Sequence, residues 1–235
     1  MTTASKLKAK NAKAQSSSSA GIWLVGGAIL LLALVVLVLV LNQRSGVTPV
    51  AAPDVPAEWV SAKSLGNPDA AVTVQMWEDF LCPACQQWTS AVKPTLYDEY
   101  VKTGLVRLEF HQFPLQQHAP GAQMAAQASE CAADQNQFWP FHDRVFQMAS
   151  QRGQAGVTYD ALLGYAGEVG LDTTQLKSCV DNLTHQSNVV ASVTQAQQLG
   201  LNSTPSILVN GQLVENPFNY NQLKAAIDAV LTPAS

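Results

Sequence analysis

Two stretches of the chain have the apolar pattern of β-strands, and a stretch with helical pattern lies between them. Residues 72–77 are mostly apolar, and residues 105–112 alternate apolar with polar side chains. Residues 82–100 can form a helix, kinked at Pro94. Because a strand, a helix-length connection and a second strand form a right-handed crossover, this order predicts a parallel βαβ unit.

A long region without strand pattern follows, and then the strand pattern returns. Residues 206–209 and 212–214 flank Asn210-Gly211, the strongest short signal for a tight hairpin, and residues 220–231 predict a closing helix. We therefore predict an α/β fold in the order βαβ, a helical insertion over about 115–199, then ββα. Glycine and proline separate the five predicted helices of the insertion, which are 119–134, 138–150, 159–169, 173–182 and 187–199.

Near the N-terminus the pattern changes to an uninterrupted apolar run. Residues 22–41 carry no charge and are long enough to cross a hydrocarbon core of about 30 Å. Four lysines precede the run and only Arg44 follows closely, so the positive-inside rule places the N-terminus in the cytoplasm. A cleaved signal peptide is the alternative, but no convincing cleavage site follows the run.

These patterns divide the chain into four parts. We expect a disordered cytoplasmic tail at 1–21, a transmembrane anchor at 22–41, a linker rich in proline and alanine at 42–60, and a folded domain at 61–235. The protein is therefore predicted to be a single-pass cell-membrane protein with its folded domain outside the cytoplasm.

Charge and cysteine content indicate which partners and which sulfur chemistry to expect. The net charge of -4 and the scattered basic residues give no reason to expect a nucleic-acid partner. The four cysteines are Cys82, Cys85, Cys131 and Cys179. Outside the cytoplasm such cysteines can form disulfides, so the predicted location favours disulfide chemistry.

Cys82 and Cys85 lie where the first predicted strand turns into a helix. The first turn of a helix leaves backbone N–H groups unpaired and carries the positive end of the helix dipole, which lowers the pKa of a thiol there. Cys82 is therefore the candidate nucleophile, expected to be exposed to solvent. Cys85 is within reach to form a disulfide with it and is the candidate resolving cysteine, and Pro83 suits the first helical position.

This pattern resembles the thioredoxin fold, and the helical insertion makes residues 64–235 similar to the DsbA family of extracytoplasmic thiol-disulfide oxidoreductases. A lone Cys-x-x-Cys is weak evidence, but several motifs in order are specific. They are Asp79-Phe80-Leu81-Cys82-Pro83-Ala84-Cys85, Phe113-Pro114-Leu115 with His118, Glu130-Cys131-Ala132, Phe138-Trp139-Pro140-Phe141-His142, Ser203-Thr204-Pro205-Ser206 and Val209-Asn210-Gly211.

The resemblance implies oxidation of cysteine pairs in exported proteins. A substrate thiolate would attack the Cys82–Cys85 disulfide, form a mixed disulfide with Cys82, and leave oxidised when its second thiol resolves that bond. Pro205 would be the cis-proline of the family, opposite the cysteines. The backbone of Thr204 would then bind an extended substrate as a short added strand.

The chain departs from the family at two positions. Relatives often carry a buried acidic residue six positions before the first cysteine, where this chain has Met76. Glu78 and Asp79 lie closer to the motif, but strand alternation turns only one of them inward, so neither can be assigned that role. Ala84 stands where the best-known relative has histidine, so we expect the Cys82 thiolate to depend on the helix terminus alone and the enzyme to be less oxidising.

Cys131 and Cys179 fall in two different insertion helices. We expect a structural disulfide that joins these helices, with a second redox pair and two free buried thiols as alternatives. Only one cysteine pair has ligand spacing, so no metal site is predicted. His118 follows the second strand and is expected in a solvent-facing loop, with an approach to the cysteines as the alternative. Phe138, Trp139 and Phe141 are expected in the core.

The first functional hypothesis is a membrane-anchored, monomeric thiol-disulfide oxidase acting on reduced exported proteins. The chain shows no cofactor site, so a quinone-linked membrane protein of the DsbB or VKOR kind would reoxidise it. A thiol reductase or isomerase of the same fold is the alternative, although no dimerisation domain is visible. A binding or chaperone module with a vestigial redox pair is a second class, against which Cys82, Cys85 and Pro205 argue.

Overall fold

The computed structural model describes residues 52–232, together with residue 29 and residues 32–36, which are helical. The chain divides into two compact units, residues 1–48 and residues 49–235. The predicted cytoplasmic tail, most of the predicted anchor and the first part of the predicted linker lie outside the described residues. Among the residues that are described, no helix is both long and apolar enough to cross a bilayer.

The second unit is built on one mixed β-sheet, in which β3 and β4 run parallel and the other neighbours run antiparallel. The strand order is β1-β2-β4-β3-β5-β6. The strands are β1 (Val60–Ser61), β2 (Ser64–Leu65), β3 (Val72–Glu78), β4 (Val106–Gln112), β5 (Ser206–Val209) and β6 (Gln212–Leu213).

Helices connect the strands in the predicted order, which confirms the βαβ, helical insertion and ββα arrangement. The described helices are α1 (Pro83–Ala91), α2 (Lys93–Leu96), α3 (Gly121–Ala133), α4 (Phe138–Arg152), α5 (Tyr159–Glu168), α6 (Thr173–Asp181), α7 (Gln186–Gln198) and α8 (Tyr220–Leu231). Shorter helical turns are 3₁₀ at Ala57–Trp59, Gln116–His118 and Gly153–Gly156, and π at Tyr97–Val101.

The start of the folded unit differs from the prediction. Strands β1 and β2 were not predicted, because two-residue strands show no alternation of apolar and polar positions. Val55 packs against the main core, and the Gly66 N–H donates to the Trp59 carbonyl at 2.9 Å. Residues 52–60 therefore belong to the folded unit and not to the predicted linker. The single helix predicted over 82–100 is also divided, with α1 ending before Val92.

Strand β3 lies between β4 and β5, and its residues are buried except Thr73 and Gln75, which are partly buried. Val74 and Met76 face the main core, whereas Trp77 packs on the opposite face with Phe113 and Leu201. Since alternate residues of a strand share a face, Glu78 follows Met76 on the side of the main core. Strand β3 thus ends with the carboxyl group of Glu78 pointing into the interior.

The remaining sequence predictions for the core and the hairpin are confirmed. Phe138, Trp139 and Phe141 are buried in the insertion core. Asn210 and Gly211 join β5 to β6 with φ angles of 46° and 81°, the left-handed conformation that this dipeptide adopts readily.

Candidate active site

Cys82 and Cys85 lie at the N-terminus of α1, directly after the end of β3. Cys82 is the N-cap residue and Pro83 follows it in the first turn. Both cysteines are free thiols. Cys85 is fully buried and Cys82 retains 7% of its surface, so the expectation of an exposed Cys82 is wrong. The carbonyl of Thr204, the residue before Pro205, lies 3.3 Å from the Cys82 sulfur.

The environment of Cys82 favours its thiolate. A hydrogen bond from the Cys85 thiol, assisted by the Thr204 side chain and then by the backbone N–H groups of Cys85 and Ala84, outweighs the effect of burial and lowers the pKa of Cys82 from about 9 to about 5. The helix terminus does contribute through these N–H groups. The Cys85 thiol lowers the pKa of Cys82 more than these N–H groups do, so the prediction that the thiolate depends on the helix terminus alone is wrong.

The environment of Cys85 has the opposite effect. Burial, the hydrogen bond that the thiol donates to Cys82 and the negative charge of Glu78 raise the pKa of Cys85 well above its usual value. The Asp79 N–H donates to the Cys85 sulfur at 3.5 Å, which opposes this only weakly. The pair therefore holds one proton asymmetrically, with Cys82 as the thiolate and Cys85 as the thiol.

Thr204 and Pro205 lie against this pair. The peptide bond between them is cis, and the Ser206 hydroxyl donates to the Ser203 carbonyl at 2.8 Å within the same turn. A second cis bond, between Ala119 and Pro120, was not predicted, because no turn motif marks it in the sequence. The structure thus brings the Thr204 carbonyl to the Cys82 sulfur across 122 residues of sequence.

Glu78 is a buried acid close to the cysteines that the sequence prediction left unassigned. Its Oε2 accepts a hydrogen bond from the Thr89 hydroxyl at 3.2 Å, whereas its Oε1 is buried and finds no hydrogen-bond partner among the described residues. Burial raises the pKa of Glu78 to about 8, against the opposing charge of Lys93 and the Thr89 hydrogen bond. At neutral pH this carboxyl group therefore carries a proton.

Asp79 is buried too, so the expectation that only one of the two acids turns inward is wrong. Asp79 lies after the strand, where alternation no longer applies. Its Oδ1 accepts from the Leu81 N–H at 2.7 Å, and its Oδ2 accepts from the Leu115 N–H and from His118 Nδ1, both at 2.8 Å. Asp79 thus ties the cysteine turn to the loop after β4, and His118 is a partner of that clamp and not a free loop residue.

Cys131 and Cys179 form a disulfide that joins α3 to α6, with 6.0 Å between their Cα atoms. Cys131 is buried and Cys179 is partly buried. His185 lies near the two sulfurs, with all three potential ligand atoms within 4.8 Å of one another. The sulfurs are bonded to each other, so this group of the described residues offers no thiolate to a metal.

Known proteins share this architecture. A probable disulfide bond formation protein D of Bacillus anthracis is 34% identical over 171 residues, which cover 72% of this chain and 78% of that protein. The crystal structure of oxidised BdbD from Bacillus subtilis, 27% identical, covers 78% of this chain and 99% of its own with a TM-score of 0.67. A thioredoxin-like oxidoreductase from Silicibacter pomeroyi, 31% identical, covers 78% of this chain and 100% of its own with a TM-score of 0.61.

A pair of cysteines with such unequal proton affinities at a helix N-terminus can exchange one disulfide for another, and the chain is a thiol-disulfide oxidoreductase. The family model described as thioredoxin matches residues 60–229. The chain accordingly belongs to the thioredoxin family and, with its helical insertion, to the DsbA-like protein disulfide oxidoreductases.

Proposed function

We propose that the protein is an oxidase that transfers the Cys82–Cys85 disulfide to cysteine pairs of exported proteins. The observation that carries this proposal is the lowered pKa of Cys82. Whatever stabilises the Cys82 thiolate stabilises the reduced enzyme, and a stable reduced form makes the disulfide a stronger oxidant. The name of the Bacillus anthracis relative, a probable disulfide bond formation protein, points in the same direction.

The first step is attack by a substrate thiolate on the Cys82 sulfur of the enzyme disulfide. The bond between Cys82 and Cys85 breaks, a mixed disulfide between substrate and Cys82 forms, and Cys85 leaves as a thiolate. Attack at Cys82 is favoured because Cys85 is fully buried. The Thr204 backbone, whose carbonyl lies 3.3 Å from the Cys82 sulfur, would bind the extended substrate.

Glu78 supplies the proton that Cys85 then needs. A buried thiolate is costly, and the protonated carboxyl of Glu78 is the acid that the fold places among these side chains. The second substrate thiolate attacks the mixed disulfide, Cys82 leaves as its stable thiolate, and the substrate is released with its disulfide. One of the two substrate protons thus replaces the proton that Glu78 gave to Cys85, and the other goes to solvent.

The pKa of Cys82 also sets the expected oxidising strength. A value of about 5 lies between those of thioredoxin, about 7, and DsbA, about 3.5. We therefore expect a reduction potential between about -270 and about -120 mV, more oxidising than thioredoxin and less oxidising than DsbA.

The site of action that we propose is the outer face of the cell membrane. The uncharged run at 22–41 and the lysines before it support an anchor with the catalytic unit outside the cytoplasm. An oxidase needs an electron acceptor to regenerate its disulfide, which a quinone-linked membrane protein of the DsbB or VKOR kind would provide. Reporter fusions after residue 60 that are active only outside the cytoplasm test this orientation.

Equilibration of the Cys82 pair in glutathione buffers tests the direction of catalysis. The fraction of oxidised enzyme, measured by mass spectrometry after acid quenching and thiol alkylation, gives the potential. A value clearly above about -270 mV supports an oxidase. A value at or below that of thioredoxin contradicts the proposal and favours the reductase alternative.

A further inference from the structure

The helical insertion contains an apolar groove of about 400 Å³ that the disulfide exchange steps leave unused. Its walls come from α3, α6 and α7, and neither the redox cysteines nor Pro205 line it. Val180 and Val189 line it as buried residues. Leu183 and Val190 line it with 51% and 57% of their surfaces exposed. The groove therefore presents apolar side chains to solvent on the insertion, apart from the cis-proline segment.

Two glutamines of α3, Gln123 and Gln127, also line the groove. Gln127 is only 6% exposed, and the side-chain oxygens of both glutamines are buried without a hydrogen-bond partner in the described part of the chain. Because the end of a glutamine side chain rotates over a broad range, both amides can turn toward a ligand in the groove. This lining suits an occupant with apolar side chains and N–H donors, which an extended polypeptide has and a lipid chain lacks.

Leu183, in the turn between α6 and α7, supports a binding role. Its φ angle is 51°, in the left-handed region that bulky side chains rarely adopt. Glycine or asparagine would form the same turn with less strain. Since half of the leucine surface is exposed, packing within the domain does not account for its apolar side chain. A strained and exposed apolar residue beside a groove is expected where that residue contacts a ligand.

The groove is continuous with the turn that carries the redox pair. Pro120 lines the groove, and the next residue, Gly121, lies so close to Leu81 that an added Cβ would be 2.7 Å from Leu81 Cδ1. Leu81 directly precedes Cys82, at which the substrate must react. From Gly121 to Gln127 the helix rises about 9 Å, which an extended chain spans in about three residues. A polypeptide bound at Cys82 can therefore continue into the groove.

We propose that this groove binds an apolar segment of the unfolded substrate protein while a cysteine a few residues away reacts with Cys82. The inference rests on the proposed function, because it names a second contact of the same substrate. The disulfide between Cys131 and Cys179 joins α3 to α6, so it holds two walls of the groove together. The insertion thereby gives the enzyme a preference for cysteines that have an apolar residue nearby in sequence.

Pairs of dicysteine peptides test the groove. The two peptides of a pair differ in one residue, leucine or serine, placed about three to five positions from the first cysteine. Their oxidation by the oxidised full-length chain is measured in lipid nanodiscs, so that no detergent competes for the groove. We expect kcat/KM to be about tenfold higher for the leucine peptide. Leu183→Asn and Val190→Asn should each reduce this preference, and together they should abolish it.

Two controls separate binding from folding and from redox chemistry. Leu199→Asn changes another exposed leucine, 48% exposed at the C-terminal end of α7 and outside the groove, and should keep the preference. Leu183→Asn should melt at no lower temperature than the parent, because asparagine tolerates the left-handed conformation. The rate with reduced glutathione, which has no apolar side chain, should stay unchanged in every variant.

Equal rates for the two peptides, or a preference that survives in the combined Leu183→Asn and Val190→Asn variant, would overturn the proposal. Val190→p-benzoylphenylalanine identifies the occupant by photo-crosslinking. Crosslinks to the leucine peptide support the proposal, whereas crosslinks only to lipid or to a second copy of the chain contradict it. The preference is a ratio of two rates that can be measured in either redox direction. Its failure is therefore distinct from a failure of the oxidase assignment, which the glutathione potential tests.

Discussion

The chain contains two pairs of cysteines, whose side chains are the same and whose surroundings differ. Cys82 is the N-cap residue of α1 and Cys85 lies in its first turn, close to a buried acid, and both are free thiols. Cys131 and Cys179 project from α3 and α6, 48 residues apart, and are joined to each other. The first pair is built from one turn of chain, whereas the second fastens two helices.

The difference shows that reactivity comes from the surroundings of the sulfur. At the helix terminus the two thiols have pKa values shifted in opposite directions, which gives a good leaving group beside a thiol that retains its proton. The second pair lies on helix sides, where the backbone N–H groups are already paired within the helices. We interpret it as a structural crosslink.

The largest effect is expected at the first pair. Cys82→Ser should abolish thiol-disulfide exchange, because buried Cys85 cannot be reached by a substrate thiolate. Cys85→Ser should instead accumulate a mixed disulfide between Cys82 and a substrate peptide, visible by mass spectrometry. Exchange activity in Cys82→Ser would contradict the assignment of the nucleophile.

Removal of the second pair should affect stability and not redox chemistry. Cys131→Ser combined with Cys179→Ser should lower the free energy of unfolding by about 4 kcal/mol, because a loop of 48 residues is no longer closed in the unfolded chain. Denaturant titration measures this loss. The reduction potential of the Cys82 pair should stay within experimental error of the parent, and a large change would show that the two pairs are coupled.

The lowered pKa of Cys82 predicts a pH-dependent stability of the reduced form. The folded pKa of about 5 lies below the ordinary value of about 9, so the stabilisation is fully present above the unfolded pKa and is lost as pH falls through about 5. The melting temperature of the reduced protein relative to Cys82→Ser should therefore rise between pH 5 and pH 8.5. A pH-independent difference between them would contradict a thiolate at this position.

The smallest effect is expected at the N-terminus of the helix that carries Cys179. The Asp172 side chain accepts from the Thr174 and Gln175 N–H groups at 2.9 and 3.0 Å, so Asp172→Ala should cost about 1 kcal/mol. Thermal unfolding measures this cost with the disulfide intact. Asp160→Ala is the matched control, because Asp160 lies in the first turn of α5 without being its N-cap residue.

The pattern of apolar and polar residues predicted most of the strands and helices, because long strands and helices repeat their apolar residues with distinct periods. The final helix, residues 220–231, has the predicted bounds. Strands β1 and β2 were missed because they are too short to have a period. The early start of the folded unit at residues 52–60 was missed for a different reason, since its packing depends on contacts with distant residues.

The sequence predicted the two cysteines of the candidate site but did not predict that both carboxyl groups, those of Glu78 and Asp79, are buried beside them. Cys82 and Cys85 are marked by a local motif, whereas the depth of Glu78 depends on helices α1, α2 and α4 packing over the end of β3. The charges of Lys93 and Asp143 act on Glu78 from two other elements of the fold, and no spacing in the sequence relates the three residues. Asp79 and His118 are likewise in contact only because the fold brings them together.

The narrow exposure of Cys82 acts as a steric filter on incoming proteins. A sulfur with 7% of its surface free can be reached only by a thiol on a slender, unpacked segment of polypeptide. Cysteines already enclosed in a finished domain are thereby excluded, so a preference for cysteines in unfolded segments follows from accessibility and requires no recognition of a particular sequence.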